Sequence, residues 1–86
     1  MYYTGIDLHK KTSFITTIDD SGKVVFRRNC TNQEGHLLDY FQNLDGPTKI
    51  VIESMCSWYW LHDLLRAHNF NVVLSNPLKT TAIASA

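Results

Sequence analysis

Residues 49–53 read KIVIE: a lysine, three consecutive β-branched apolar residues and a glutamate. β-Branched side chains suit the pleated surface of a strand. An apolar run without polar alternation suits the middle of a parallel sheet. Parallel strands need a crossover between them, usually a helix, so this pentapeptide predicts an α/β fold and directs attention to its flanks.

Both flanks carry helical signals. Upstream, Thr31-Asn32-Gln33-Glu34 matches a capping box, with Thr31 as N-cap and Glu34 reaching back. Leu37, Leu38, Phe41 and Leu44 follow at helical spacing with Tyr40 beside them, and Asp45-Gly46-Pro47 ends the segment. Downstream, a second helix is predicted from near Ser57, with Trp58, Leu61, Leu64 and Leu65 on one face, ending at His68-Asn69. Residues 70–74 form another strand, broken by Asn76-Pro77, and residues 78–86 read as the opening of a further helix that the chain does not complete.

The first thirty residues contain three strands with short connections. Residues 2–8 form one, 12–19 a second and 24–30 a third, the last two joined by the turn Asp20-Ser21-Gly22-Lys23. The predicted order is β-β-β-α-β-α-β. If the fourth strand lies beside the first and the fifth beside the fourth, the sheet is mixed and five-stranded, of order 3-2-1-4-5. Both crossovers then run the same way across the sheet and place both helices on one face. The other face has at most residues 78–86 to cover it.

Bulk composition narrows the function. The chain has 86 residues, 44% hydrophobic and 12% aromatic, which is globular and allows one small domain. Eight basic and eight acidic residues cancel to a net charge of zero, whereas a self-sufficient nucleic-acid binder is usually basic. Any grip on phosphate must come from a local patch or from other parts. Cys30 and Cys56 form no C-x-x-C, and His9, His36, His62 and His68 show no ligand spacing with them, so reduced thiols in a cytoplasmic protein are expected. No apolar run approaches the ~20 residues that span a bilayer, and the N-terminus lacks a signal-peptide pattern.

Two carboxylates stand out. Asp7 lies near the C-terminal part of the first strand and Glu53 ends the fourth. On neighbouring parallel strands, roughly 5 Å apart, they meet at the sheet edge where α/β proteins place ligands. Paired anions call for a cation, and hard oxygen donors with open positions suit Mg²⁺. Two such ions about 4 Å apart support phosphodiester chemistry. Alternatively, either acid could cap a helix or pair with Lys10 or Lys11.

Three stretches taken together, residues 2–24 (YYTGIDLHKKTSFITTIDDSGKV), 50–65 (IVIESMCSWYWLHDLL) and 72–86 (VVLSNPLKTTAIASA), resemble the N-terminal catalytic domain of the DEDD, RuvC-like transposases of bacterial insertion sequences, the IS-one-ten class that includes Piv-type invertases. The resemblance is collinear over essentially the whole chain. It implies a ribonuclease H-like fold and four acids that bind Mg²⁺ (or Mn²⁺) for DNA strand cleavage and rejoining. The first acid falls on Asp7 and the second on Glu53. The other two belong to a D-x-x-D segment that would follow Ala86, and family members continue into a region with a catalytic serine. The resemblance therefore implies that residues 1–86 are the first part of such a domain, inactive as a nuclease alone. The implied partners are the DNA of the element ends and target, and an element-encoded guide RNA. The implied setting is the bacterial cytoplasm, without a membrane. An open apolar sheet face would favour a homo-oligomer.

Other residues have narrower readings. Lys10 and Lys11 either steer phosphate or form an ordinary solvated turn. His9 either supports Asp7, touches DNA, or ends its strand without a role. Trp58 is expected in the core, Tyr59 and Trp60 partly exposed, and Arg27 and Arg28 guard an edge strand. Two rival functions are an actin-like ATPase or sugar-kinase fragment and a non-catalytic self-associating module. The first requires a Gly/Ser/Thr-rich phosphate loop where this chain has His9-Lys10-Lys11-Thr12.

Overall fold

The structure is a computed structural model and describes residues 1–54 and 58–74. Strands β1 (Tyr2–Leu8), β2 (Thr12–Ile18) and β3 (Val24–Thr31) precede helix α1 (Glu34–Phe41), β4 (Thr48–Ser54), α2 (Tyr59–Ala67) and β5 (Asn71–Leu74). They form one sheet of order β3-β2-β1-β4-β5. β1, β4 and β5 run parallel, and β2 and β3 complete an antiparallel meander. This is the mixed α/β sheet expected from the sequence. Cys56, Ser57, the Asn76-Pro77 break and the expected helix over 78–86 lie outside the described residues.

Strand alternation sorts the side chains. Thr4, Ile6 and Leu8 of β1, Ser13, Ile15 and Thr17 of β2, and Thr48, Ile50 and Ile52 of β4 are buried. They form the core with Leu37, Tyr40 and Phe41 of α1 and Leu61 and Leu65 of α2. Leu61 and Leu65 are one helical turn apart, so a single stripe seats α2, and Trp58 and Leu64 pack at its margins. Truncating Leu65 to Ala would cost about 2–5 kcal/mol by the cavity left behind. Val51 sits on the other face and is exposed, so among the described residues β4 is covered on one side only, in contrast to the fully buried strand its apolar run suggests.

The core also contains a hydroxyl chain. Thr48 and Thr4, Thr4 and Thr17, and Thr17 and Tyr40 each approach to 2.7 Å between hydroxyl oxygens. The Tyr40 phenol donates to the Phe26 carbonyl at 3.1 Å. Each hydroxyl has one proton, so with the phenol donating to Phe26, Thr17 donates to Tyr40 and Thr4 to Thr17. The Thr48 hydroxyl closes the chain on Thr4 at 2.7 Å in competition with a longer contact of 3.3 Å to the Lys49 carbonyl. Among the described residues no buried side-chain polar atom is left without a partner. Burial pushes the Tyr40 phenol above its ordinary value, and the bond from Thr17 opposes that shift.

Helix boundaries depart from the sequence reading in two places. Thr31 is not an N-cap. It is the last residue of β3, paired with Thr12, and α1 starts at Glu34 behind Gln33 with no side-chain cap. Extending the β2–β3 ladder satisfies the backbone that the capping box would have taken. α1 also stops at Phe41, before Asp45-Gly46-Pro47, where the Asn43 amide donates to the carbonyls of Asp39 and Tyr40. α2 ends where expected. Asn69 adopts φ 66°, and the N–H groups of Asn69 and Phe70 bond the carbonyls of Arg66 and Leu65, a Schellman closure with asparagine in the left-handed position.

Candidate metal centre

Asp7 and Glu53 are register partners in the parallel β1–β4 ladder, whose strands lie about 4.8 Å apart. Ile6 and Leu8 are buried beneath the helices, so alternation places Asp7 on the opposite face, which no described helix covers. Glu53, one residue past buried Ile52, takes the same face. Asp7 is exposed and Glu53 half-buried. Both line a depression of ≈ 260 Å³ with Gly5, Phe14, Thr16 and Val51. Gly5 lies between Thr16 and Val51 in the ladders, and a Cβ built there meets nothing within 4 Å. The missing side chain thus deepens the floor beside the acids.

Facing like charges on adjacent strands destabilise a sheet. Asp7 has one ion-pair partner among the described residues: His9 Nε2 lies 3.2 Å from Asp7 Oδ2. A carboxylate only accepts, so Nε2 carries the proton in this bond. Among the described residues neither acid pairs with Lys10 or Lys11, and neither caps α1 or α2. The two lysines are exposed in the turn closed by the His9 N–H to Thr12 carbonyl bond of 2.9 Å, at the same rim as the acids.

The other carboxylates are engaged elsewhere. Asp19 Oδ1 accepts from Ser21 and Lys23 in the β2–β3 turn, at the far end of the sheet. The bonds from the Ser21 hydroxyl and the Lys23 N–H, joined by that from the Ser21 N–H, hold its carboxyl below the ordinary value against the opposing effect of desolvation. Asp20 meets the N-terminal ammonium and Asp39 meets Arg28, each at 3.3 Å. Asp45 accepts from the Tyr2 phenol. Asp63 lies beside His62 on α2, and Glu34 occupies the first turn of α1. Among the described residues no three His, Cys, Asp or Glu side chains converge as a metal cluster. What the fold brings together is one pair of hard oxygen donors with an open approach. That pair fits a cation that uses few carboxylates and retains water, as Mg²⁺ does.

Two contributors escaped the sequence reading. Gly5 was legible in principle, because a strand glycine often marks a close approach to backbone or ligand. Asn32 was absorbed into the supposed capping box, whereas its amide actually bonds residues of the rim turn.

The uncovered face continues from the acids into a second depression of ≈ 440 Å³, where Tyr3, Ile18, Val51 and Val73 supply apolar wall and Lys49 a charge. Trp58 packs against the core, and Tyr59, stacked on it at 4.4 Å, is exposed, as is Trp60. No helix among the described residues is long and apolar enough to cross a membrane.

Comparison with known proteins agrees with this architecture. No curated protein matches the chain. The solved structure of the Aquifex aeolicus PPX-GPPA enzyme superposes with a TM-score of 0.53 at 16% identity, over 90% of this chain and 36% of that one. At that identity the likeness is one of fold, and the chain spans little more than a third of that enzyme's length. A family model described as DEDD_Tnp_IS110, Transposase, matches residues 4–86, nearly the whole chain and both acids included. The chain belongs to this DEDD transposase family.

Proposed function

We propose that Asp7 and Glu53 are two of the metal-binding carboxylates of a transposase catalytic centre, which cleaves and rejoins DNA strands when an insertion sequence moves. The observation that carries this reading is their shared register position on one open sheet face. Bound Mg²⁺ or Mn²⁺ would supply Lewis-acid stabilisation and an activated water for phosphodiester chemistry. The chain's own residues contribute two anionic oxygens and a rim open to solvent and phosphate. Lys10 and Lys11 add positive charge where a DNA backbone would approach. Two carboxylates are half of the four acids that the family resemblance implies, so this pair by itself would bind a cation weakly. The DNA of the element ends and target is the proposed substrate, and a guide RNA and further copies of the chain are proposed partners of the whole protein.

Titration of the ¹⁵N-labelled chain with Mn²⁺ tests the site. Paramagnetic broadening is expected first at Asp7, Glu53 and Phe14, and its loss is expected in Asp7→Asn and Glu53→Gln. Broadening centred on other residues, or unchanged in both variants, would refute the assignment.

A further inference from the structure

Asn32 leaves β3 beside the β1–β2 turn and makes three hydrogen bonds to it. Its side-chain Nδ2 donates to the His9 carbonyl at 2.7 Å. Its Oδ1 accepts from the hydroxyl of buried Ser13 at 2.5 Å. Its backbone N–H donates to the Lys11 carbonyl at 2.9 Å. The bonded residues, 9, 11 and 13, bracket the whole turn, and the His9 N–H to Thr12 carbonyl bond closes it. Two-residue connections between antiparallel strands are common hairpin links, set by the backbone of the flanking residues. This one is also pinned from the neighbouring strand, by a side chain anchored on a buried serine.

The pinned turn carries His9, whose ring meets Asp7. We propose that Asn32 is a positioning residue of the carboxylate pair. By fixing the His9 backbone it holds the imidazole where Nε2–H bonds Asp7 Oδ2, which restrains the rotamer of that carboxylate. His9 is the intermediary and Asn32 the anchor. Hydrogen-bonded partners behind metal ligands orient them in this way, and losing one typically weakens metal binding about 10–100-fold. The idea rests on the proposed role of Asp7, but its central claim concerns the chain without metal.

Asn32→Asp is the discriminating variant. It keeps an acceptor for Ser13 and replaces the donor to the His9 carbonyl with an acceptor. Asn32→Ala removes both bonds and serves as the second variant. In both, unchanged amide signals from β2, β3 and the core report a retained fold. The decisive readout is the tautomer of His9 and the Asp7 carboxyl shift, measured by NMR without metal at mildly alkaline pH. Wild type is expected to hold the Nε2–H tautomer, and both variants to lose that preference and shift the Asp7 carboxyl signal. If a folded variant keeps the wild-type tautomer and Asp7 signal, the positioning role is wrong. Mn²⁺ titration then separates the two ideas. About tenfold weaker binding in Asn32→Asp supports both. If wild type does not bind Mn²⁺ at Asp7, the metal reading fails, and the metal-free NMR still decides the role of Asn32.

Discussion

Asp7 and Glu53 occupy one register position on neighbouring parallel strands, 46 residues apart in sequence by their numbers, and both turn away from the helices. No lysine or arginine among the described residues neutralises them. An uncompensated like-charge pair in a sheet has a cost, of order 0.2–1 kcal/mol. Asp7→Asn and Glu53→Gln are therefore each expected to stabilise the metal-free chain slightly, seen as a higher urea midpoint. Mg²⁺ should raise the melting temperature of wild type and leave both variants unmoved. Destabilisation by both substitutions would show that the acids hold the fold together rather than wait for a cation.

Gly5 gives a prediction of opposite flavour. It sits in a strand interior, where glycine costs about 0.5–1 kcal/mol relative to alanine, and a Cβ there has free space. Gly5→Ala should therefore gain about that much in denaturant unfolding. The added methyl raises the floor of the depression beside the acids, so a bulkier Gly5→Val is expected to impede approach to the pair. Equal Mn²⁺ binding in wild type and Gly5→Val would show that the open floor is irrelevant.

The threonine–tyrosine chain should behave as a unit. Tyr40→Phe removes the acceptor for Thr17 and the donor to the Phe26 carbonyl, at about 1–3 kcal/mol because the remaining groups are buried. Thr17→Val should cost a similar amount. The double variant should cost less than the sum, since the two residues share one bond. Strict additivity in urea titrations would mean that the hydroxyls are satisfied independently.

The uncovered face makes self-association measurable. Tyr3, Phe14, Val51 and Val73 are all exposed on it or at its margin. Sedimentation of residues 1–86 at micromolar concentration should show concentration-dependent association, and Val73→Lys should shift it toward monomer. A monomer at all concentrations would remove the homo-oligomer from the proposed function.

Asp19 sets an acid-side dependence. Its carboxyl is held below the ordinary value of 3.8, chiefly by the Ser21 hydroxyl bond. A depressed carboxylate contributes stability above its unfolded value, and that contribution is lost as pH falls through the folded value. Stability should thus decline in acid below the ordinary aspartate range. Asp19→Asn should flatten that part of the profile, with the β2–β3 turn amides exchanging faster. An unchanged acid limb would place the sensitivity on other groups.

Much of this molecule is legible in its linear order. The β-branched and aromatic enrichment of residues 12–19, a glycine turn at Gly22 and the apolar run Ile50-Val51-Ile52 are local signals, and local sterics determine them. Short connections then allow few topologies, and the order 3-2-1-4-5, with Asp7 and Glu53 at one register position, is among those few. The tertiary structure decided which polar groups find one another. Thr4 and Thr48 are 44 residues apart and bond only because β1 and β4 are placed side by side. Thr31 resembled a helix cap until its backbone was taken into the β2 ladder, and Asn32 acquired its role only when the β1–β2 turn came within reach. Backbone propensity acts over a few residues. Hydrogen-bond satisfaction is a contest among whatever partners the completed fold assembles, and no stretch of sequence contains all the contestants.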